Sequence, residues 1–204
     1  MASTERYEIR PYNPVLLSER MGRALVINNK KYPGDRFRRG SEKDVENTKD
    51  LLEYLNFDVA IREDLKTNEI LEEVKDFLHQ LKYVEVDMVT LVLMGHGSKD
   101  CIEGIDEGEV DFEEIFNEFT NRNCPELMNK PKLFIIQTCR GDKQDSGFRD
   151  ERMYCTTDGG GGSKLDNINL SPSVLKDYLI AFSTIDNYAS YRSDSGNLCI
   201  YFRQ

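Results

Sequence analysis

The apolar positions of the chain fall into short continuous runs separated by amphipathic stretches. Residues 23–28 (Arg-Ala-Leu-Val-Ile-Asn) form an apolar run ending in polar residues, which predicts a buried strand. A basic loop over 30–40 follows, holding Pro33 and Gly34. Ser41, with the carboxylate of Asp44 three positions on, predicts a capped helix start. Val45, Thr48, Leu51, Leu52 and Leu55 recur behind it at helical spacing. Residues 57–61 suggest a second strand. Thr67 is the expected cap of another helix, whose stripe is Ile70, Val74, Phe77, Leu78 and Leu81. The run 88–94 is almost wholly apolar, the pattern of a strand covered on both faces, and it ends at Gly95-His96-Gly97. A short helix is predicted over 112–119. Lys132–Gln137 reads as a buried strand leading into Thr138-Cys139-Arg140-Gly141, and 178–183 is the last clear strand. Alternating helices and uninterrupted apolar strands imply an α/β sandwich around a mainly parallel sheet.

The character changes over 142–170, which is polar, rich in acids and carries glycine at 159–162. Such a stretch buries too little apolar surface to order itself, so it is expected to be a flexible linker. It separates a region over 23–141 from a shorter one over 171–204, and 1–22 forms a short N-terminal segment.

With 204 residues, 39% hydrophobic and 31% charged, the chain suits one domain with a substantial core. A net charge of −10 argues against nucleic acid or an anionic membrane surface as the main partner, because there is no basic surplus to neutralise phosphates. No apolar run approaches the ~18–20 residues of a membrane span, and the polar N-terminus lacks a signal-peptide core. Five cysteines without close pairs read as reduced thiols, which points to the cytoplasm. With no C-x-x-C and only two histidines, no metal and no other cofactor is expected.

In open α/β sheets functional groups collect at the carboxyl ends of strands. His96 follows one predicted strand and Cys139 another, each near glycine. A thiol beside an imidazole is readily held as the nucleophilic thiolate. Taken singly, a cysteine after a strand is more often a core residue, and a histidine there is more often a satisfied polar group. His79, inside an amphipathic helix, reads as a surface residue.

Gln137-Thr138-Cys139-Arg140-Gly141 resembles the caspase nucleophile motif Gln-Ala-Cys-[Arg/Gln/Gly]-Gly, with threonine in place of alanine and His96 upstream. Further segments resemble the same family in the same order. Residues 23–29 match its first strand, and 37–44, with Arg38 and Gly40, its arginine-glycine helix start. Residues 94–97 match its Ser-His-Gly, with Gly95 in the serine position. Residues 188–193, with Ser190 and Arg192, match its substrate-binding loop. The resemblance runs from about Gly22 to about Leu198.

The resemblance implies a caspase-like three-layer sandwich and a cysteine endopeptidase that cuts after aspartate in programmed cell death. Cys139 would be the nucleophile and His96 its acid-base partner, with the amides of Gly97 and Cys139 forming an oxyanion hole. Arg38, Gln137 and Arg192 would surround the substrate aspartate, Ser190 lying in the same loop. Two guanidiniums would place local positive charge inside an acidic molecule. Asp158, followed by Gly159, would be the leading candidate for the processing site, with Asp145 and Asp166 as alternatives. Expected partners are proteins with exposed aspartates and a second caspase in a dimer or heterodimer. The small subunit of the family continues past the position of Gln204, so the resemblance leaves two readings, a fragment and a shortened variant. The second would be a regulatory or decoy chain that binds full-length caspases. The short N-terminal segment suits an executioner better than an initiator.

Overall fold

The computed structural model describes residues 21–138, 155–157, 176–183 and 191–193. In chain order these form β1 (Met21–Asn28), α1 (Ser41–Tyr54), β2 (Phe57–Glu63), α2 (Thr67–Gln80), β3 (Val86–Met94), the hairpin β4 (Cys101–Glu103) and β5 (Glu109–Asp111), and α3 (Phe112–Glu118). A 3-10 turn (Pro125–Leu127), β6 (Lys132–Gln137), β7 (Cys155–Thr157), β8 (Tyr178–Phe182) and β9 (Tyr191–Ser193) follow. Five strands make one sheet in the order β2-β1-β3-β6-β8, each parallel to its neighbours.

Side chains alternate across this sheet. Leu25, Ile27, Leu91, Leu93, Phe134 and Ile136 face α2 and α3 within one apolar cluster. Ala24, Val26, Val92 and Met94 face the other way, against Val45 and Leu52 of α1. Helices on both faces explain why β1 and β3 read as unbroken apolar runs. The result is the three-layer α/β sandwich expected from the sequence.

Two predicted caps are corrected. The residue preceding α1 is Gly40, at φ 81° in the left-handed region that glycine adopts without the Cβ penalty. Ser41 is instead the first helical residue, and its buried hydroxyl accepts the Asn28 side-chain amide at 3.3 Å. Lys66 precedes α2, and its N–H donates to the Glu69 carboxylate at 2.8 Å. The N–H and hydroxyl of Thr67 both donate to Asp106, in the β4–β5 turn, at 2.9 and 2.6 Å.

The apolar stripe of α1 is also narrower than the spacing suggested. Val45, Thr48 and Leu52 share the inward face, whereas Leu51 is 58% and Leu55 53% exposed. Leu51 lies about 100° round the helix from Leu52, and Leu55 lies past the last helical residue. Inside the predicted 142–170 linker, β7 pairs antiparallel with β9, so Thr156 lies opposite Arg192. β-Branched threonines at 156 and 157 suit that local pairing. β1 starts at Met21, within the predicted N-terminal segment.

Phe134 anchors the larger face of the core. Its ring meets Phe116 at 4.7 Å and Phe119 at 5.0 Å edge-on, and stacks on Tyr178 at 5.1 Å. Phe134→Ala is expected to destabilise the fold by about 3–5 kcal/mol in denaturant unfolding, and Leu51→Ala by no more than about 0.5 kcal/mol. Equal losses at the two positions would contradict the assignment of inner and outer faces.

Candidate active site

Parallel register lines up the carboxyl ends of three strands. Asn28 of β1 pairs with Met94 of β3, and Met94 with Gln137 of β6. The pairing runs one residue further, with Asn29 N–H donating to the Met94 carbonyl at 2.8 Å and Gly95 N–H to the Gln137 carbonyl at 3.2 Å. His96 therefore leaves the sheet beside the point where β6 delivers Thr138.

His96 is 4% exposed and held by several neighbours. Its Nε2 lies 2.7 Å from the Arg36 carbonyl, which only accepts, so Nε2 carries the hydrogen. In the neutral ring Nδ1 is then the basic nitrogen. The backbone N–H of His96 donates to the Tyr32 hydroxyl at 3.0 Å, and the two rings lie 4.4 Å apart at 60°. The Arg36 guanidinium is held by Glu103 at 2.7 Å and Glu107 at 3.2 Å, which anchors the carbonyl that orients the imidazole.

Gly97 is where the chain folds back on the β4–β5 hairpin. It bridges Ile102, and a Cβ at this position would sit only 2.3 Å from the Cys101 carbonyl oxygen. Glycine is required here by the close approach of backbone to backbone.

A second cluster lies at the start of α1. Arg38 is 1% exposed, and its Nη1 donates to the Asn28 side-chain oxygen at 3.3 Å and the Asn29 carbonyl at 3.2 Å. Gln137, at the end of β6, donates from Nε2 to Asp44 at 3.3 Å, while its Oε1 is buried with no hydrogen-bond partner among the described residues. Buried polar side chains of this kind are stable only inside such a network.

Of the residues singled out in the sequence, His96, Gly97, Arg38 and Gln137 sit at the carboxyl edge of the sheet or on the loops leaving it. Arg192 lies in β9, where its backbone pairs with Thr156. Cys139, Asp158 and Ser190 fall outside the described residues. His79 is exposed on α2, as expected. Sequence reasoning missed Tyr32, the Arg36 carbonyl and the link from Asp44 to Gln137. Asp44 was visible only as a helix-start carboxylate, and a backbone carbonyl leaves no trace in residue type.

Fold and site together define an α/β chain that gathers a buried histidine and a buried arginine at the carboxyl edge of a parallel sheet. A family model described as the caspase domain matches residues 21–201. The chain belongs to the caspase family. It is 30% identical over 174 residues to Caspase drICE of Drosophila melanogaster, covering 84% of this chain and 49% of that protein. Mouse Caspase-14 is 34% identical over 164 residues, covering 77% of this chain and 64% of that protein. Zebrafish Caspase a is 35% identical over 147 residues, covering 67% of this chain and 37% of that protein. The chain thus spans from about a third to two thirds of the length of these relatives.

Cys101 and Cys124 are both buried. Burial pushes each thiol up to about 11, outweighing the Ser98 contact 3.0 Å from Cys101. Neither is poised as a nucleophile. Because folding raises these thiols above their ordinary value of 9.0, their protonated forms favour the folded state. That contribution is complete below about pH 9 and is lost as pH rises through about 11. Mass-resolved thiol alkylation of the native protein at pH 8 is expected to leave both unmodified. Rapid labelling of either one would contradict the burial described.

Proposed function

We propose that this chain carries the catalytic region of a cysteine endopeptidase that cleaves after aspartate. The observation that carries the reading is the row Asn28–Met94–Gln137. It sets His96, tied through Nε2 to the Arg36 carbonyl, beside the end of the strand that runs into Thr138 and Cys139. Strands in a sheet lie about 4.8 Å apart, so residues just past paired strand ends are within side-chain reach.

Cys139 attacks the scissile carbonyl as a thiolate, its proton passing to Nδ1 of His96. The amides of Gly97 and Cys139 receive the oxyanion. His96 then protonates the leaving amine as the carbon–nitrogen bond breaks. Water, deprotonated by His96, cleaves the acyl-enzyme and restores the thiol. Arg38, Gln137 and Arg192 bind the substrate aspartate, with Ser190 in the same loop. The Gln137 amide gives one N–H to Asp44 and keeps the other for a carboxylate. The proposal extends to processing after Asp158, pairing with a second caspase chain, and a cytoplasmic role in programmed cell death. No helix among the described residues is long and apolar enough to cross a membrane.

Hydrolysis of a fluorogenic aspartyl peptide tests the chemistry. Cys139→Ala is expected to abolish turnover and His96→Ala to lower it by about 10²–10⁴, whereas Cys101→Ala and Cys124→Ala keep the chemical step. Near-normal turnover of Cys139→Ala would remove the assignment.

The pocket is tested separately. Arg38→Lys keeps the charge but loses the planar fork, and is expected to impair cleavage severely. Asparagine peptides, which leave a buried guanidinium without its carboxylate, should be poor substrates. Equal rates on aspartate and asparagine peptides would rule out the proposed pocket.

A further inference from the structure

The residue before His96 is glycine where the family pattern has serine, and the structure shows what occupies the space. A Cβ at Gly95 would lie 3.0 Å from the Tyr32 hydroxyl and 3.1 Å from two carbons of Ile102. The hydroxyl is itself fixed at both ends. It accepts the His96 backbone N–H at 3.0 Å and donates to the Glu103 carbonyl at 3.1 Å. The ring below it is 5% exposed, lies 4.4 Å from the imidazole, and has the Arg36 guanidinium over its face at 5.5 Å. Arg36 closes the circuit, since its carbonyl takes the Nε2 hydrogen of His96 and its guanidinium grips Glu103.

We propose that Tyr32 is a positioning residue for His96: its hydroxyl holds the backbone and its ring braces the imidazole, in space that the absent side chain at 95 leaves open. The inference rests on the reading of His96 as the acid-base group. Both ends of the imidazole's support converge on Glu103, whose main-chain oxygen meets Tyr32 and whose carboxylate meets Arg36. Burial raises the phenol to about 12, so the hydroxyl keeps its hydrogen throughout the neutral range. An ordinary core tyrosine also buries its ring and satisfies its hydroxyl. What distinguishes this one is that ring and hydroxyl both contact the same histidine, and that residue 95 is constrained by them.

The constraint makes the roles of 32 and 95 interdependent, which a double-mutant cycle reads directly. Tyr32→Phe removes the hydroxyl and keeps the ring. It is expected to lower kcat on an aspartyl peptide about 10-fold with KM within about twofold, the scale of a small misplacement of a catalytic group. Gly95→Ser forces its Cβ against the Tyr32 hydroxyl and is expected to lose at least as much. In Tyr32→Phe/Gly95→Ser the hydroxyl contact is already gone and only the two Ile102 contacts remain, so kcat is expected to stay within about threefold of Tyr32→Phe rather than fall by the product of the two losses. Losses that simply multiply in the double variant, with thermal melts unchanged, would overturn the proposal.

A second measurement does not depend on turnover. The 15N shifts of the His96 ring are expected to report an Nε2–H tautomer in the parent chain and a mixture in Tyr32→Phe, with exposed His79 as the unchanged internal reference. If the parent cuts no aspartyl peptide, the proposed function fails while the ring shifts still decide the role of Tyr32. Identical His96 shifts and tautomer in parent and Tyr32→Phe would overturn that role, whatever the activity.

Discussion

Everything at the carboxyl edge of the sheet depends on the parallel pairing of β1, β3 and β6 in one register. Asn28, Met94 and Gln137 share a row, and each strand then releases a residue that the site uses. Side chains in a strand alternate between faces, so a slip of one residue would turn Leu91 and Leu93 out of their cluster with Phe134 and Ile136. The apolar layers on the two faces therefore fix more than stability. They set where His96 emerges, and the precision of the polar groups is inherited from the packing of the nonpolar ones beneath them.

The polar groups are in turn arranged to keep charge buried in an acidic chain. Arg38 lies almost wholly inside the protein, cradled by the side chain of Asn28 and the carbonyl of Asn29, and Asn28 is itself held by Ser41. Burying a guanidinium is unfavourable unless its N–H groups find acceptors. The start of α1 supplies this framework, which is why Ser41 faces inward to Asn28 and Gly40, with its left-handed backbone, makes the turn into the helix. The residues that begin the helix thus also complete the cradle.

Much of this was legible in the sequence because it rests on hydrophobic periodicity. The five strands of the sheet and the three helices among the described residues lie where apolar runs and stripes placed them, and His96 at the end of β3 followed from the same pattern. The errors have local causes. Ser41 and Thr67 have the residue types of caps, but tertiary partners, Asn28 and Asp106, capture their side chains. Leu51 and Leu55 matched a helical stripe, yet the sheet meets only the narrower face bearing Val45 and Leu52. The support of His96 was illegible because it is built from a main-chain carbonyl and a tyrosine distant in sequence. No periodicity encodes either contact.

The turn between β4 and β5 has the outward character of an exchangeable surface loop, being short, polar and glycine-bearing. Its contacts tell otherwise. Asp106 receives both donors of Thr67 at the head of α2, and a Cβ at Gly104 or Gly108 would collide with that same threonine. Glu103 and Glu107, at its two sides, secure Arg36. For anyone wishing to graft an epitope, reporter or new termini into this scaffold, the hairpin is a joint between helix and histidine loop, and lengthening it would loosen both. The exposed stretch around Tyr83 and Val84 has no such tether among the described residues and is the better place to open the chain.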